Sequence, residues 1–376
     1  MNRLPEKLPK RVMMTADTVG GVWTYAIELA RALGAYGVRV RLATMGAWLK
    51  QSQWDEAADI PTLEICESNY KLEWMEDPWS DVRQAGEWLL RLADGFAPDV
   101  IHLNGYAHGS LDWQAPVLVA AHSCVLSWWQ AVKGSCAPPE WNQYRREVAQ
   151  GLAAADAVIA PSRCMLNALS EHYGPLRDGR VISNGRDSLL FAPGVKGSFV
   201  MTAGRLWDEA KNIGLLEKIA GRLSWPVVLA GEQRHPDGGN CQIKEVRLLG
   251  RLSPPRLSAW LSRAAIYALP ARYEPFGLSA LEAALCQCAL VLGDIPSLRE
   301  IWGDAAVFVN PNDDEVWREA IEELIADHRK REQYGWRARQ RALEFSPQRM
   351  AAAYLATYTE LMKSRNSVAE RRLACA

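Results

Sequence analysis

The sequence predicts an α/β protein built from two successive parallel sheets, each flanked by helices. Short apolar runs alternate with amphipathic stretches along almost the whole chain, the pattern of strands joined by crossover helices. The alternation pauses and restarts near Gly185–Lys196, a stretch with glycine, proline and no clear period. At 376 residues, 49% of them hydrophobic, the chain can fill two cores of about 150 residues each.

In the first series the expected strands are RVMMTA (11–16), VRVRLAT (38–44), DVIHL (99–103), PVLVAAH (116–122) and AVIAPS (157–162). VWTYAIELARALGAYG (22–37) has apolar residues at helical spacing and a terminal glycine, and residues 80–96 read as a second helix. Residues 47–80 are rich in tryptophan and acidic groups and show little regular structure. The second series has strands at 198–204, 226–232, 246–250, 266–271, 289–294 and 306–311, with helices near 214–223, 255–264, 278–287 and 314–327. Two Rossmann-like domains are therefore expected, over 1–185 and 186–346, followed by a helix at 347–363 and a flexible tail at 364–376.

Composition narrows the function. A net charge of −1 excludes a broad field for polyanions, so nucleic acid is not an expected partner. No apolar run reaches the length of a membrane span, and MNRLPEKLPK lacks the apolar core of a secretory signal. A cytoplasmic protein is expected. Basic residues near both ends (Arg3, Lys7, Lys10, Arg11; Lys363, Arg365, Arg371, Arg372) leave peripheral contact with an anionic membrane as a secondary reading. The eight cysteines form no CxxC pair or zinc spacing, so buried free thiols are expected and no metal site.

The most informative stretch is ARYEPFGLSALEA (271–283). The apolar segment before it reads as a strand, which puts Glu274 in a strand-to-helix loop and Glu282 on the first turns of the helix. The backbone N–H groups of Gly277, Leu278 and Ser279 would lie between them. A helix N-terminus suits an anionic diphosphate, and flanking carboxylates accept hydrogen bonds from sugar hydroxyls. The combination suits a nucleotide sugar.

GRLWDEAKNI (204–213) opens the second series, and its Arg205 and Lys211 can converge at the carboxyl edge of the sheet, where ligands bind in open α/β folds. Such a cation pair can stabilise a departing diphosphate. Gly20 and Gly21 follow the first strand and allow close backbone approach, but no GxGxxG fingerprint supports a nicotinamide. His122 ends a strand, where an imidazole can meet a sugar hydroxyl or an acceptor; His102 and His108 read as structural. Trp128 and Trp129 suit either ring stacking or interdomain packing. Asn184–Gly185 reads as a turn at the junction, with Arg186 and Asp187 helping to fix the hinge.

In this order the pieces resemble the family 4 retaining glycosyltransferases of the GT-B fold, over roughly residues 11–345. The E-x7-E motif in its EPFGL setting is the most specific element, followed by GRLWDEAK and VISNG. The chain departs from many relatives in having Cys288-Ala289 where they have Gly-Pro, AVFV for a GLLV-like strand, and one more residue between Arg205 and Lys211. The resemblance implies two Rossmann-like domains facing a central cleft, with the last helix crossing back to the N-terminal domain. It implies that Glu274 contacts donor-sugar hydroxyls and that Glu282 holds the ribose. Arg205 and Lys211 would bind the diphosphate with the amides of Gly277 and Leu278, beside Phe276. His122 would lie next to the transferred sugar, and Gly20 and Gly21 would approach the phosphates from the other domain.

The expected reaction is transfer of a hexose from a nucleotide diphosphate sugar to an acceptor hydroxyl with retention, without a cofactor or metal. A front-face path is expected because no side chain is clearly placed as a nucleophile. The acceptor would be a saccharide, a lipid-linked sugar or a small molecule, in bacterial polysaccharide or glycoconjugate synthesis. A GT-B-like nucleotide-sugar epimerase or phosphorylase, or a non-catalytic nucleotide-binding relative, is the alternative.

Overall fold

The computed structural model describes residues 8–233 and 245–374. Of the basic residues near the ends, Arg3 and Lys7 lie outside the described residues. The chain forms two compact units. The first takes the chain up to Ser127, then Ala137–Gly185, then everything from Pro347; the second takes Trp128–Cys136 and Arg186–Ser346.

The sheet of the first unit has seven parallel strands: β1 (Arg11–Asp17), β2 (Arg39–Met45), β3 (Leu63–Glu67), β4 (Val100–Leu103), β5 (Val117–Ala120), β6 (Ala157–Ala160) and β7 (Gly179–Val181). Their order is β3-β2-β1-β4-β5-β6-β7. The inner strands VIHL, VLVA and AVIA are buried at every position, as expected for strands covered by helices on both faces. One face packs on α1 (Gly21–Gly34) and on the last helix of the chain, through Trp23, Ile27, Leu33, Met350, Tyr354 and Tyr358. The other packs on α3 (Trp79–Phe96), α5 (Asn142–Ala154) and α6 (Arg163–Tyr173). Between these elements lie α2 (Gln51–Ala58) and α4 (Val125–Lys133).

The second sheet has six parallel strands: β8 (Gly197–Arg205), β9 (Val227–Glu232), β10 (Arg247–Leu248), β11 (Ala264–Leu269), β12 (Ala289–Gly293) and β13 (Val307–Val309), in the order β10-β9-β8-β11-β12-β13. Helices α7 (Ile213–Ala220) and α11 (Asp314–Ala326) cover one face. The other is covered by α8 (Pro254–Arg263), α9 (Leu278–Leu285), α10 (Pro296–Trp302) and α12 (His328–Ala342). Reversal of strand order beside β8 puts the ends of β8 and β11 next to each other, the position where α/β sheets open a crevice.

Three differences from the sequence reading have local causes. Residues 47–80 contain α2 and β3, but α2 buries only Gln53 and Ala57, and no residue of the edge strand β3 is fully buried, so neither shows an apolar stripe. Residues 128–136 group with the second unit. There the Trp128 indole N–H donates to Asp208 at 3.1 Å and Lys133 pairs with Glu209 at 2.6 Å. The last helix, α13, runs from Pro347 to Ala374 and does not stop at Lys363; SRNSVAERRLA holds no glycine or proline to end it.

Candidate active site

In the second unit the EPFGL segment forms the loop from β11 to α9, with Glu274 in the loop and Glu282 inside the helix. Gly277 caps α9 at φ 89°, ψ 62°, a left-handed conformation that L side chains adopt at a cost. The first backbone N–H groups of α9 have no partner within the helix and point out of its end. The loop is held in place because Ser297 donates its hydroxyl to the carbonyl of Glu274 at 2.6 Å.

Arg205 and Lys211 come together here from a different part of the chain. Arg205 ends β8 and donates to Asp208 at 2.8 Å, with its guanidinium 5.3 Å from the Trp207 ring centre. Lys211 closes the 3-10 turn Glu209–Lys211 and forms an ion pair with Glu274. Three hydrogen bonds clamp this turn to the segments after β11 and β13. Asn212 donates its side chain to the carbonyls of Pro270 and Pro311 at 3.1 and 2.7 Å, and the Arg272 N–H donates to Ala210 at 2.8 Å. Asp208 is buried and also accepts from the Ala210 N–H at 3.0 Å. Burial pushes its carboxyl up, but Arg205 and Lys211 outweigh that and hold it below the usual range.

Glu282 is buried and accepts from Arg186 Nε at 2.8 Å, with side chains 8% and 6% exposed. In the sequence Arg186 reads only as a hinge residue, because a charged residue after an Asn-Gly turn ordinarily faces solvent. Its burial beside a carboxylate distant in sequence leaves no local signal. Phe276, expected among the donor-binding residues, directs its ring into the core, edge-on to Phe345 with ring centres 5.5 Å apart. The reason is register: Phe276 sits just before the helix cap, facing the apolar side of α9. Leu278, the first residue of α9, is a partly buried residue packed on the same core.

In the first unit Gly20 caps α1 at φ 93°, ψ −148°, and Gly21 opens the helix. His122 lies two residues beyond the end of β5, and its Nε2 meets Asn104 Oδ1 at 2.7 Å. Asn104 donates its amide to the Thr15 carbonyl at 2.6 Å, which turns the carbonyl oxygen towards His122. Nε2 therefore carries the proton and Nδ1 keeps a lone pair. Burial lowers His122 to about 4, so the ring is neutral at physiological pH. The ring also lies edge-on to Tyr25, centroid to centroid 4.5 Å. His102 is a core residue between Tyr25 (3.2 Å) and Tyr358 (2.5 Å), and His108 bonds the Val82 carbonyl at 2.9 Å.

Glu73 escaped the sequence reading. Its carboxylate caps the 3-10 turn Ala107–Ser110 by accepting from the backbone N–H groups of Tyr106 and Ala107, at 3.1 and 2.8 Å. Burial raises it to about 7 against the lowering effect of those N–H groups. Among the described residues no three His, Cys, Asp or Glu side chains are grouped to hold a metal ion. No described helix is long and apolar enough to cross a membrane.

Residues 19–188 match the family model described as glycosyltransferase family 4, and residues 194–341 match that of glycosyl transferases group 1. The D-inositol 3-phosphate glycosyltransferase of Xylanimonas cellulosilytica is 26% identical over 92% of this chain and 93% of that protein. The alpha-maltose-1-phosphate synthase of Mycolicibacterium smegmatis is also 26% identical, over 70% of this chain and 80% of the other. Among solved structures, HepE of Anabaena in complex with UDP and glucose gives a TM-score of 0.74 at 16% identity, covering 93% of this chain and 100% of that one. That likeness speaks for the fold, two parallel-sheet Rossmann-like units of GT-B type. By its two matched segments and its relatives, this chain belongs to the family 4, group 1 glycosyltransferases and is a sugar-transferring enzyme.

Proposed function

We propose that the enzyme moves a hexose from a nucleotide diphosphate sugar to an acceptor hydroxyl with retention at the anomeric carbon. The observation that carries this reading is the ion pair of Lys211 with Glu274 beside the N-terminus of α9. It joins a cation for phosphate, a carboxylate for sugar hydroxyls and outward-pointing N–H groups in one loop cluster. Arg205 adds a second cation from the neighbouring strand end. Glu282 holds the ribose, and the amides of Gly277 and Leu278 serve the diphosphate. Gly20 and Gly21 offer a second backbone approach to the phosphates, and the unprotonated Nδ1 of His122 accepts from a hydroxyl of the transferred sugar.

In the step proposed, the bond from the anomeric carbon to the diphosphate oxygen breaks while the acceptor oxygen bonds to that carbon on the same face. The acceptor proton passes to the departing phosphate oxygen, which carries the negative charge that Arg205, Lys211 and the helix end stabilise. These cations are the groups that would otherwise be supplied by a metal, so no cofactor is invoked. Bacterial polysaccharide or glycoconjugate synthesis is the proposed setting, with a saccharide, lipid-linked or small-molecule acceptor. HepE was solved with UDP, with UDP and glucose together, and with UDP-glucose, which makes UDP-glucose the first donor to try.

The test is release of nucleotide diphosphate from UDP-, GDP- and ADP-sugars with sugar, inositol phosphate and lipid-linked acceptors, with and without a chelator. The product's anomeric configuration is read by NMR. Expected is one nucleotide family, retained configuration and no loss with chelator. Inverted product, or no release from any donor, overturns the reading.

A further inference from the structure

We propose that Arg186 is a positioning residue of the nucleotide site: it holds the Glu282 carboxylate in the orientation that takes the ribose hydroxyls, and so sets the preference for ribonucleotide over deoxyribonucleotide donors. The inference rests on the reading of Glu282 given above and adds a residue that the family motif does not contain. Glu282 belongs to a helix facing the core, where a carboxylate without a partner is expensive. Arg186 supplies that partner at 2.8 Å, from a segment remote in sequence.

Arg186 is itself fixed from several sides. Its guanidinium lies 4.9 Å from the ring centre of the buried Phe191. Its backbone N–H donates to the Phe345 carbonyl at 3.1 Å, and the Phe345 ring packs against Phe276 and Trp302. The guanidinium therefore has little freedom to follow a moving carboxylate, so the carboxylate is held to it. A planar guanidinium fixes both the position and the plane of its partner; an ammonium fixes position alone.

The experiment measures binding of UDP, GDP and ADP, each against its 2′-deoxy and 3′-deoxy counterpart, by calorimetry on wild type and on Arg186→Met, Arg186→Gln, Arg186→Lys and Glu282→Ala. In wild type the ribonucleotide that binds should be favoured over at least one deoxy form by on the order of 10-fold or more. Arg186→Met should bring that ratio towards one and weaken ribonucleotide binding by roughly 10–100-fold, with Arg186→Lys recovering part of both. Should Arg186→Met melt below the assay temperature, Arg186→Gln carries the same readout. A wild-type ratio retained in Arg186→Met or Arg186→Gln overturns the inference while leaving the role of Glu282 standing. A wild type that binds no nucleotide, or a ratio unchanged in Glu282→Ala, overturns the reading of Glu282 and the inference with it.

Discussion

In the second unit, three cations at or near the core each meet a carboxylate: Arg186 with Glu282, Arg205 with Asp208, Lys211 with Glu274. In the first, His102 sits between two tyrosines, His122 meets an amide, and Glu73 is bonded by backbone N–H groups. The difference shows in protonation. Charge partners hold Asp208 low, whereas burial without a charge partner brings His102 and His122 down to about 3 and about 4 and lifts Glu73 to about 7. Around these particular groups the second unit keeps charge and the first sheds it.

That contrast can be broken most directly at the cations. Lys211→Ala or Arg205→Ala should lower turnover by on the order of 10²–10³, read as nucleotide diphosphate release at saturating donor. Near-wild-type turnover in both would remove the second unit's electrostatic role. On the neutral side the expected loss is smaller. His122→Ala or Asn104→Ala should cost roughly 10-fold, the scale of one uncharged hydrogen bond. A loss as large as that of Lys211→Ala would mean that His122 carries charge in the reaction.

The pH dependence sharpens the comparison. The folded Glu73 binds its proton more tightly than the usual 4.5, so its contribution to stability is present below 4.5 and is lost as pH rises to about 7. Glu73→Gln keeps an acceptor for the backbone N–H groups but cannot ionise. Its stability relative to wild type should therefore climb between pH 4.5 and 7, by up to about 3 kcal/mol. Thermal melts across that range, showing a constant difference, would put Glu73 in contact with solvent. The histidines work in the opposite sense: their contribution is present above 6.5 and is lost as pH falls towards 4 and then 3. The smallest expected effect is that of Tyr358→Phe, about 1 kcal/mol of stability from the lost bond to His102, with turnover unchanged.

Where motifs were local, the sequence was sufficient. The strand, the EPFGL turn and the helix after it are consecutive, so Glu274, Gly277 and Glu282 could be placed from spacing alone. What depended on distant partners was not legible. Arg186 has no local reason to be buried, and Trp128 reads as part of the first unit until Asp208 is seen beside it. Helix α12 is hidden in the sequence for another reason: HRKREQYGWRARQRA buries only Gly335, Ala338 and Ala342. Its contact face is made of small residues, so the charged majority hides the period. Gly335 also shows why small residues are needed there, since a Cβ would meet the carbonyl oxygen of Gln287 at 2.7 Å.

The return of α13 to the first unit has a consequence for synthesis. Its Met350, Tyr354, Leu355 and Tyr358 complete a core whose other members are translated before residue 183. On the ribosome the second unit, ending at Ser346, has all its residues before the first unit receives its closing helix. The amino-terminal sheet therefore waits, with the α1 side of its core lacking the residues of α13, until the last helix emerges. A chain truncated after Ser346 should present a protease-resistant second unit attached to a digestible first one.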